Sequence, residues 1–491
     1  MKSSEIQNKF INGAKWSLIS EISAKIIAPV TNMILARIIS PEAFGVIATV
    51  TMIVSFCEMF ADAGFPKFLI QHEFYKSKES YCYANVAFWT NFIIASFLLL
   101  LIIIFRVFLA ELVGNPGKEM VIVIASTQIF ITGFSSIQMA LFKRDFDFKT
   151  LFYSRILTVS IPLLVTIPLA LAGLSYWSLV IGGLASQLAN ALILTIKSDW
   201  KPRFYYDFDV LKEMFSFSFW SLLESISIWF TAWIDVFIIS QSLTQYYLGI
   251  YKTSTMLVNA IMSIVVASVV PVLFSALSRL QNDRDKFIEL YFKVQRLVAL
   301  FVLPMGVILY FYSDLATMVM LGEKWMESSN VLGVWALTSS IMVVFAHFSS
   351  EVYRSLGRPK LSFFAQMLHL VVLIPVCIFS ARYGFWVLVY SRAWIRMEFV
   401  LVHILIMKYF VGIKFWETIQ NVRPMLISTI ALTVLNILVF YLIKPSISFS
   451  VLFLFLTSFI YIFVLFAFKS VRVEYLNFFR NHFHYSNLFK N

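Results

Sequence analysis

Apolar residues occur along this chain in runs of about 20, separated by short polar segments. A run of this length crosses the roughly 30 Å hydrocarbon core of a bilayer as an α-helix, whereas membrane-barrel strands are about ten residues long and alternate in polarity. The pattern therefore predicts an all-α polytopic membrane protein. About 14 transmembrane helices are predicted, over residues 16–38, 44–64, 84–105, 119–140, 151–172, 176–196, 214–239, 247–274, 294–313, 328–350, 361–380, 385–408, 424–443 and 448–468.

The first twelve helices contain an internal repeat. Trp16-Ser17-Leu18 returns as Trp220-Ser221-Leu222, and Phe44-Gly45-Val46 returns as Leu248-Gly249-Ile250, both 204 positions later. Further matches follow in the same order along the chain. Because six helices per repeat is an even number, both repeats enter the membrane from the same side, as in transporters whose two lobes rock about a central cavity.

The repeat predicts the domain organisation. We expect an N-lobe over residues 1–200, a C-lobe over 201–410 and two unrepeated helices over 411–470. The remaining residues, 471–491, are predicted to form a basic cytoplasmic tail.

Composition agrees with this class. Hydrophobic residues make up 60% of the 491 positions and charged residues 13%, whereas a soluble domain is about half apolar and about a quarter charged. The three cysteines and six histidines show neither a disulfide framework nor metal-ligand spacing. We expect no metal site and no cofactor, apart from a coupling ion that could be H⁺ or Na⁺.

The basic residues predict the orientation. Of the 39 Lys and Arg residues, only five lie in the odd-numbered gaps between predicted helices, and most of the others lie in the even-numbered gaps and at the termini. Positive charge resists translocation, so both termini and the even-numbered loops are expected in the cytoplasm. The net charge of +12 is then explained by basic cytoplasmic loops that face anionic lipid headgroups, and no nucleic-acid role is expected.

Of the Lys and Arg residues inside predicted helices, five are candidates to bind a substrate, because exposure to lipid at mid-depth costs about 2.5–3.5 kcal/mol each. They are Lys25, Arg155, Lys252, Arg392 and Arg396. We expect most of them to face a polar interior and to bind an anionic substrate such as a diphosphate or a sugar carboxylate. Arg392 and Arg396, four residues apart, share one helix face and could bind it bidentately. Arg155 is close enough to its helix end to extend into the interface instead.

Four carboxylates are candidates for ion coupling: Glu58, Asp62, Glu224 and Asp235. Asp235 and Lys252 lie at similar depth in consecutive helices, which favours a structural ion pair between them. Glu58 and Asp62 lie near the cytoplasmic end of helix 2, where facing water is an equally good interpretation. Glu224 is deeper and could carry a proton or a cation.

Proline positions indicate bends. Pro29 lies inside helix 1 and is a candidate gating hinge, although a static kink that shapes packing is the more common role of such a residue.

Four motifs carry a family resemblance: ILARIISPEAFGVIA at 34–48, MFADAGF at 59–65, MLGEKW at 320–325 and SLGRPK at 355–360. They resemble the polysaccharide exporters of the multidrug/oligosaccharidyl-lipid/polysaccharide superfamily. Within it they are most similar to the Wzx-type flippases of the colanic acid and teichuronic acid exporter branch.

The resemblance implies two six-helix lobes around a cationic cavity in the cytoplasmic membrane of a bacterium. It also implies a cargo of undecaprenyl-diphosphate-linked oligosaccharide, which is flipped from the inner to the outer leaflet. It also implies that helices 13 and 14 form a groove for the lipid tail, and that a polymerase and glycosyltransferases of the same pathway are partners.

The residues by themselves leave two other functions possible. A drug or cation antiporter of the same superfamily would favour an acidic, aromatic cavity, whereas the charges here are mixed and include several arginines. A membrane-embedded polymerase or glycosyltransferase would need a long external loop, which the predicted topology lacks. No nucleotide-binding or hydrolase motif is present, so we expect a transporter and not an enzyme.

Overall fold

The computed structural model describes residues 3–62, 64–72, 74, 77–145, 147–358, 360–468 and 472. All regular structure in this part of the chain is helical. In chain order the α-helices are α1 (Ser3–Ile38), α2 (Pro41–Asp62), α3 (Phe65–Gln71), α4 (Ser77–Ile104), α5 (Arg106–Leu112), α6 (Glu119–Ser126), α7 (Gln128–Arg144), α8 (Phe148–Ile161), α9 (Ile167–Leu171), α10 (Tyr176–Lys197), α11 (Phe208–Ser242), α12 (Gln245–Arg279), α13 (Arg284–Phe311), α14 (Ser313–Met320), α15 (Ser328–Met342), α16 (Ser349–Ser355), α17 (Lys360–Ala381), α18 (Phe385–Trp394), α19 (Arg396–Ile406), α20 (Phe415–Leu442) and α21 (Ile447–Ala467).

The prediction of an all-helical polytopic membrane protein is confirmed. Within the described residues, 11 helical segments are long and apolar enough to cross a membrane. The other three predicted spans correspond to α1, to α11 and to the divided helix α18–α19. The total of 14 spans stays a prediction.

The chain forms two compact units. One comprises Met1–Met256 with Gln366–Arg392, and the other comprises Leu257–Ala365 with Ala393–Asn491. The predicted lobes, 1–200 and 201–410, and the predicted lipid-tail helices in 411–470 stay predictions. Of the predicted tail, 471–491, only Arg472 lies among the described residues.

In the first unit, α2 packs against α4, α6, α7 and α10. Its buried positions are rich in small side chains, including Ala43, Gly45, Ala48 and Thr49. Small residues let membrane helices approach closely, because van der Waals contact, and not exclusion of water, holds such helices together.

One crossing in this unit joins two positions of the sequence repeat. A Cβ atom on Gly45 would overlap the carbonyl oxygen of Gln245, and a Cβ atom on Gly249 would overlap the carbonyl oxygen of Pro41. The N-terminal turns of α2 and α12 are therefore in direct backbone contact, which only glycine allows at these two positions.

Segments on the predicted external side contact one another around this crossing. Gln245 Nε2 donates to the Gly114 carbonyl at 2.7 Å, and Gln241 Nε2 donates to the Leu112 carbonyl. Asn115 Nδ2 donates to Thr49 Oγ1 at 2.5 Å. This end of the first unit is thus closed by α2, the segment 112–115 and the corner between α11 and α12.

Segments on the predicted cytoplasmic side likewise meet one another. Arg144 Nη1 donates to the carbonyls of Leu69 and His72, both at 2.8 Å. Trp200 and Met214 are buried in the same apolar cluster as residues of α3, α4 and α7. The grouping at each end agrees with the division of loops that the basic residues predict.

Prolines have different local effects in two predicted helices. At Pro162 the helix changes to a π-helical turn over Pro162–Thr166 before α9 begins. At Pro29, by contrast, α1 continues as a helix, and the nearby Thr31 hydroxyl donates to the Ile27 carbonyl at 2.9 Å. A role of Pro29 as a hinge stays a prediction.

In the second unit, α13 packs against α15 and α20, and α20 packs against α21. Polar contacts accompany the α13–α20 interface: Asn421 Nδ2 donates to Gln295 Oε1 at 3.1 Å, and Arg296 Nη1 donates to Asn421 Oδ1 at 2.6 Å. These amide contacts satisfy polar groups inside an apolar helix pair.

Candidate functional site

A buried polar network in the first unit joins three helices. Asp235 on α11 accepts hydrogen bonds at Oδ2 from the Tyr251 hydroxyl at 2.6 Å and from Arg392 Nε at 3.0 Å. Its Oδ1 accepts from the backbone N–H of Val236 at 2.8 Å. The side chains of Arg392 and Asp235 are only 7% and 6% exposed. Two charges so far from solvent persist only as a hydrogen-bonded pair.

Lys252 adds a second cation to this network. Its Nζ lies over the Trp233 ring, 3.7 Å from the centroid, and it is close enough to Asp235 and Arg392 to interact with both electrostatically. The sequence predicted an ion pair between Asp235 and Lys252, and this is corrected: the salt bridge of Asp235 is with Arg392. Arg392 belongs to α18, which is distant from α11 and α12 in the sequence. Its packing against these two helices could therefore not be predicted from the order of helices along the chain.

The resulting cluster carries excess positive charge. Arg392 and Lys252 are two cations, and Asp235, which pairs with Arg392, is the one carboxylate of the cluster. We call Asp235, Tyr251, Lys252 and Arg392 the cationic cluster. Because Arg392 already neutralises Asp235, this carboxylate is poorly suited to bind a coupling cation.

Arg396 is buried in the second unit. Its guanidinium lies 3.5 Å from the centroid of the Trp335 ring, and Nη1 donates to Ser339 Oγ. Helix 12 was predicted to be continuous over 385–408 and is divided at Ile395, between α18 and α19. The described partners of Arg392 are Asp235 and Thr231, in the first unit. Those of Arg396 are Trp335 and Ser339, in the second unit.

Glu58 and Asp62 line a polar seam between α2 and α7. Glu58 Oε1 accepts from Gln128 Nε2 at 3.0 Å and from Thr132 Oγ1 at 2.7 Å. One turn further, Asp62 lies in hydrogen-bonding reach of Ser136, with Lys67 and Lys143 close enough to act on its charge.

The sequence contains a signal for this seam that was not among the predicted site residues. Gln128, Thr132 and Ser136 recur every four residues, which places three polar groups on one face of an apolar helix. That face matches the spacing of Glu58 and Asp62 on α2. Tyr251, Trp335 and Ser339 were missed as well, and single aromatic or hydroxyl residues in apolar helices gave no comparable signal.

The other predicted site residues lie elsewhere in the first unit. Lys25 is half-buried on α1 and Arg155 is exposed on α8, and these two helices pack against each other. Glu224 belongs to α11, but its side chain lies outside the described residues.

Comparison with solved structures defines the class of the fold. The structure titled lipid II flippase MurJ, inward closed conformation, superposes with a TM-score of 0.75 at 16% identity, covering 94% of this chain and 99% of that one. This chain therefore has the fold of that structure.

The amino-acid sequence then gives the family. The family model described as polysaccharide biosynthesis protein matches residues 34–330, more than half of the chain. This chain belongs to that family, and the resemblance to polysaccharide exporters stated from its motifs is confirmed.

Two curated relatives illustrate the family. The succinoglycan biosynthesis transport protein ExoT of Rhizobium meliloti (strain 1021) is 27% identical over 67% of this chain, and the match spans 65% of ExoT. The lipopolysaccharide biosynthesis protein WzxC of Escherichia coli (strain K12) is 20% identical over 83% of this chain and 82% of its own length.

Proposed function

We propose that this protein is a flippase that moves a lipid-linked oligosaccharide across the bacterial cytoplasmic membrane by alternating access. Family membership and the names of the relatives ExoT and WzxC support polysaccharide precursors as cargo. The finer proposal is that the cargo is an undecaprenyl-diphosphate-linked repeat unit and that it moves from the inner to the outer leaflet.

The excess positive charge of the cationic cluster is the observation that favours an anionic cargo. A diphosphate gains from two cations, one buried and one half-buried, that lie near a single carboxylate, because charge-assisted hydrogen bonds strengthen away from water. An organic cation would be repelled by the same cluster. This distinguishes the flippase from the drug or cation antiporter.

Within this proposal, Lys252 is the cation of the cluster best suited to reach the cargo. Arg392 Nε is committed to Asp235, whereas the described contact of the Lys252 ammonium is with the face of Trp233. A cation held over an aromatic face keeps its donors available to an anion. Lys25, Arg392, Arg396 and Arg155 stay proposed as further contacts of the diphosphate or sugar.

Ion coupling, if the transport cycle uses it, is proposed at Glu58 and Asp62. Their seam between α2 and α7 combines two carboxylates with amide and hydroxyl groups, the oxygen-rich surroundings that hard cations prefer. Asp235 is less suitable because Arg392 compensates its charge. Glu224 stays a further proposed carboxylate.

A reconstituted flipping assay tests the function. The purified full chain is placed in liposomes that contain a fluorescent polyprenyl-diphosphate oligosaccharide, and a membrane-impermeant quencher reports which leaflet holds the label. We expect the label protected from the quencher to become accessible only in vesicles that contain the protein. Absence of movement, or transport of organic cations instead, would overturn the proposal.

Lys252 variants test the proposed contact in the same assay. Lys252→Gln is expected to slow flipping by about tenfold or more, since a hydrogen bond to a charged group contributes about 1.5–3 kcal/mol. Lys252→Arg should retain most of the rate. The matched control is Lys408→Gln, which removes an exposed lysine over the Tyr409 ring. Equal rates for Lys252→Gln and wild type would remove Lys252 from the binding site.

A further inference from the structure

The first unit contains an apolar cavity of about 490 Å³ that the flippase proposal does not use. Its walls come from α2, α4, α5 and α11, and every lining side chain is apolar apart from the Cys57 thiol and the Trp229 indole. The Trp229 N–H is turned away to Ser55, donating to its hydroxyl at 3.0 Å. The cavity therefore offers water no hydrogen-bonding partner other than the weak Cys57 thiol.

Apolar cavities without polar partners stay dry and take up apolar molecules. An empty cavity also forfeits the dispersion contacts of its lining atoms. A hydrocarbon chain is the abundant apolar molecule around a membrane protein, and it would restore those contacts.

The volume indicates what kind of chain fits. A dry cavity of about 150 Å³ takes up a molecule the size of benzene, so about 490 Å³ has room for a hydrocarbon segment roughly three times that size. This is comparable to one phospholipid acyl chain and smaller than a complete long polyprenyl chain.

The position of the cavity places it in one leaflet. Its lining from α4 and α5, including Leu98, Ile102 and Phe108, lies in the last turns of α4 and in the short helix that follows. Phe105 and Phe108 are more than half exposed, so this part of the lining reaches the molecular surface. Basic-residue counts predict that this end is external.

A positive charge stands at the same end. Arg106 lies between the lining residues Phe105 and Phe108, it is exposed, and its Nη1 donates to the Ile103 carbonyl at 3.1 Å. It is one of two cations between α4 and α6, and the other, Lys118, donates to the Tyr176 hydroxyl at 3.0 Å. The combination of a dry apolar cavity and an exposed guanidinium matches a hydrocarbon chain that carries an anionic headgroup.

We propose that the cavity between α2, α4, α5 and α11 binds one acyl chain of an anionic phospholipid from the external leaflet, with the headgroup phosphate at Arg106. This site is separate from the cationic cluster and does not depend on the identity of the cargo.

Photo-crosslinking tests the site in the wild-type chain. The protein is reconstituted in vesicles of phosphatidylglycerol and phosphatidylcholine that contain a phosphatidylglycerol probe with a diazirine near the end of one acyl chain. After illumination, adducts are mapped by peptide mass spectrometry. We expect adducts on the lining residues Phe56, Leu98, Ile102 and Trp229, which are less exposed than the lipid-facing side chains of α4.

Two leucines of α4 form a matched pair of variants. Leu98 lines the cavity, whereas Leu100 is 53% exposed and does not line it. Leu98→Trp fills the cavity and should abolish most of the labelling of the other lining residues, whereas Leu100→Trp should leave it unchanged. If Leu98→Trp folds poorly, the labelling pattern of the wild-type chain still decides whether the cavity binds an acyl chain.

The headgroup part is tested separately. Arg106→Gln should reduce the preference for the phosphatidylglycerol probe over the phosphatidylcholine probe by about fivefold, the effect of one cation near an anionic membrane surface. Adducts confined to lipid-facing residues, or labelling of the lining only by a polyprenyl-phosphate diazirine probe, would overturn the proposal.

Discussion

Asp235 shows how the protein keeps a carboxylate deep inside apolar helices. It has three described hydrogen bonds, from the Val236 backbone, the Tyr251 hydroxyl and the Arg392 guanidinium. Loss of one partner of a buried ion pair leaves an uncompensated charge, which costs more than the pair itself contributes.

Arg392→Leu is therefore expected to lower the free energy of unfolding by about 3–5 kcal/mol. Adding Asp235→Leu should recover much of the loss, because the double variant has no unpaired carboxylate. The measurement is thermal unfolding of the purified variants in detergent. Arg382→Leu, at an exposed arginine over the Phe379 ring, is the control and should change little. A double variant less stable than Arg392→Leu would contradict this account.

A further prediction at the residue scale concerns the polar seam between α2 and α7. Thr132→Val removes the donor that lies 2.7 Å from Glu58 Oε1 while keeping the shape of the side chain. We expect a loss of about 1.5–3 kcal/mol, the range for a hydrogen bond to a charged group.

The control for this prediction is Thr158→Val on α8, a half-buried threonine like Thr132. The Thr158 hydroxyl donates to the Ser154 carbonyl of its own helix, so its loss should cost less. Thermal unfolding of the two variants side by side makes the comparison, and equal losses would show that Glu58 does not depend on Thr132.

At the scale of helices, the crossing of α2 and α12 depends on two glycines. Their backbones touch at positions 45 and 249, so even one methyl group at either position must push the helices apart. The contact closes the end of the first unit that the charge pattern predicts to be external. A flippase that opens to the outside would have to separate this contact.

Gly45→Ala should destabilise the protein by about 1–3 kcal/mol, the usual cost of overpacking. Gly183→Ala is the matched control: a Cβ atom there meets nothing within 4 Å, so the substitution should be neutral or stabilise helix α10 by up to about 1 kcal/mol. Differential scanning fluorimetry compares the two variants with the wild type. Similar melting temperatures for both would show that the crossing is not tight in solution.

For the whole molecule, the uneven distribution of Lys and Arg predicts which loops face the cytoplasm. The structure groups the loops at each end of the first unit in agreement with that division. Which end faces the cytoplasm is a question that labelling in cells answers.

The accessibility of introduced cysteines measures on which side of the membrane each loop lies. In a background where Cys57, Cys82 and Cys377 are replaced by Ser, Ser446→Cys should react with a membrane-impermeant maleimide on intact cells. Asn282→Cys should react only after the cells are lysed. Both positions are exposed in loops, so the reverse pattern would invert the predicted topology.

Much of the fold could be predicted from the sequence, because insertion into a membrane depends on the length and polarity of each individual segment. Runs of apolar residues have to be about 20 long to cross the bilayer, and backbone groups in lipid have to be satisfied within the helix. The helical class and most of the span positions follow from this. The division of helix 12 at Ile395 did not, since no proline or glycine marks it.

The sequence by itself determined that this is a polytopic helical membrane protein of the polysaccharide biosynthesis family, and it identified the charged residues that lipid would not tolerate. Only the tertiary structure decided their partners. Asp235 binds Arg392, 157 positions away, and not Lys252, because pairing depends on how each helix is rotated and where helices cross. The same dependence explains the apolar cavity, whose walls come from four helices and have no signature in any one of them.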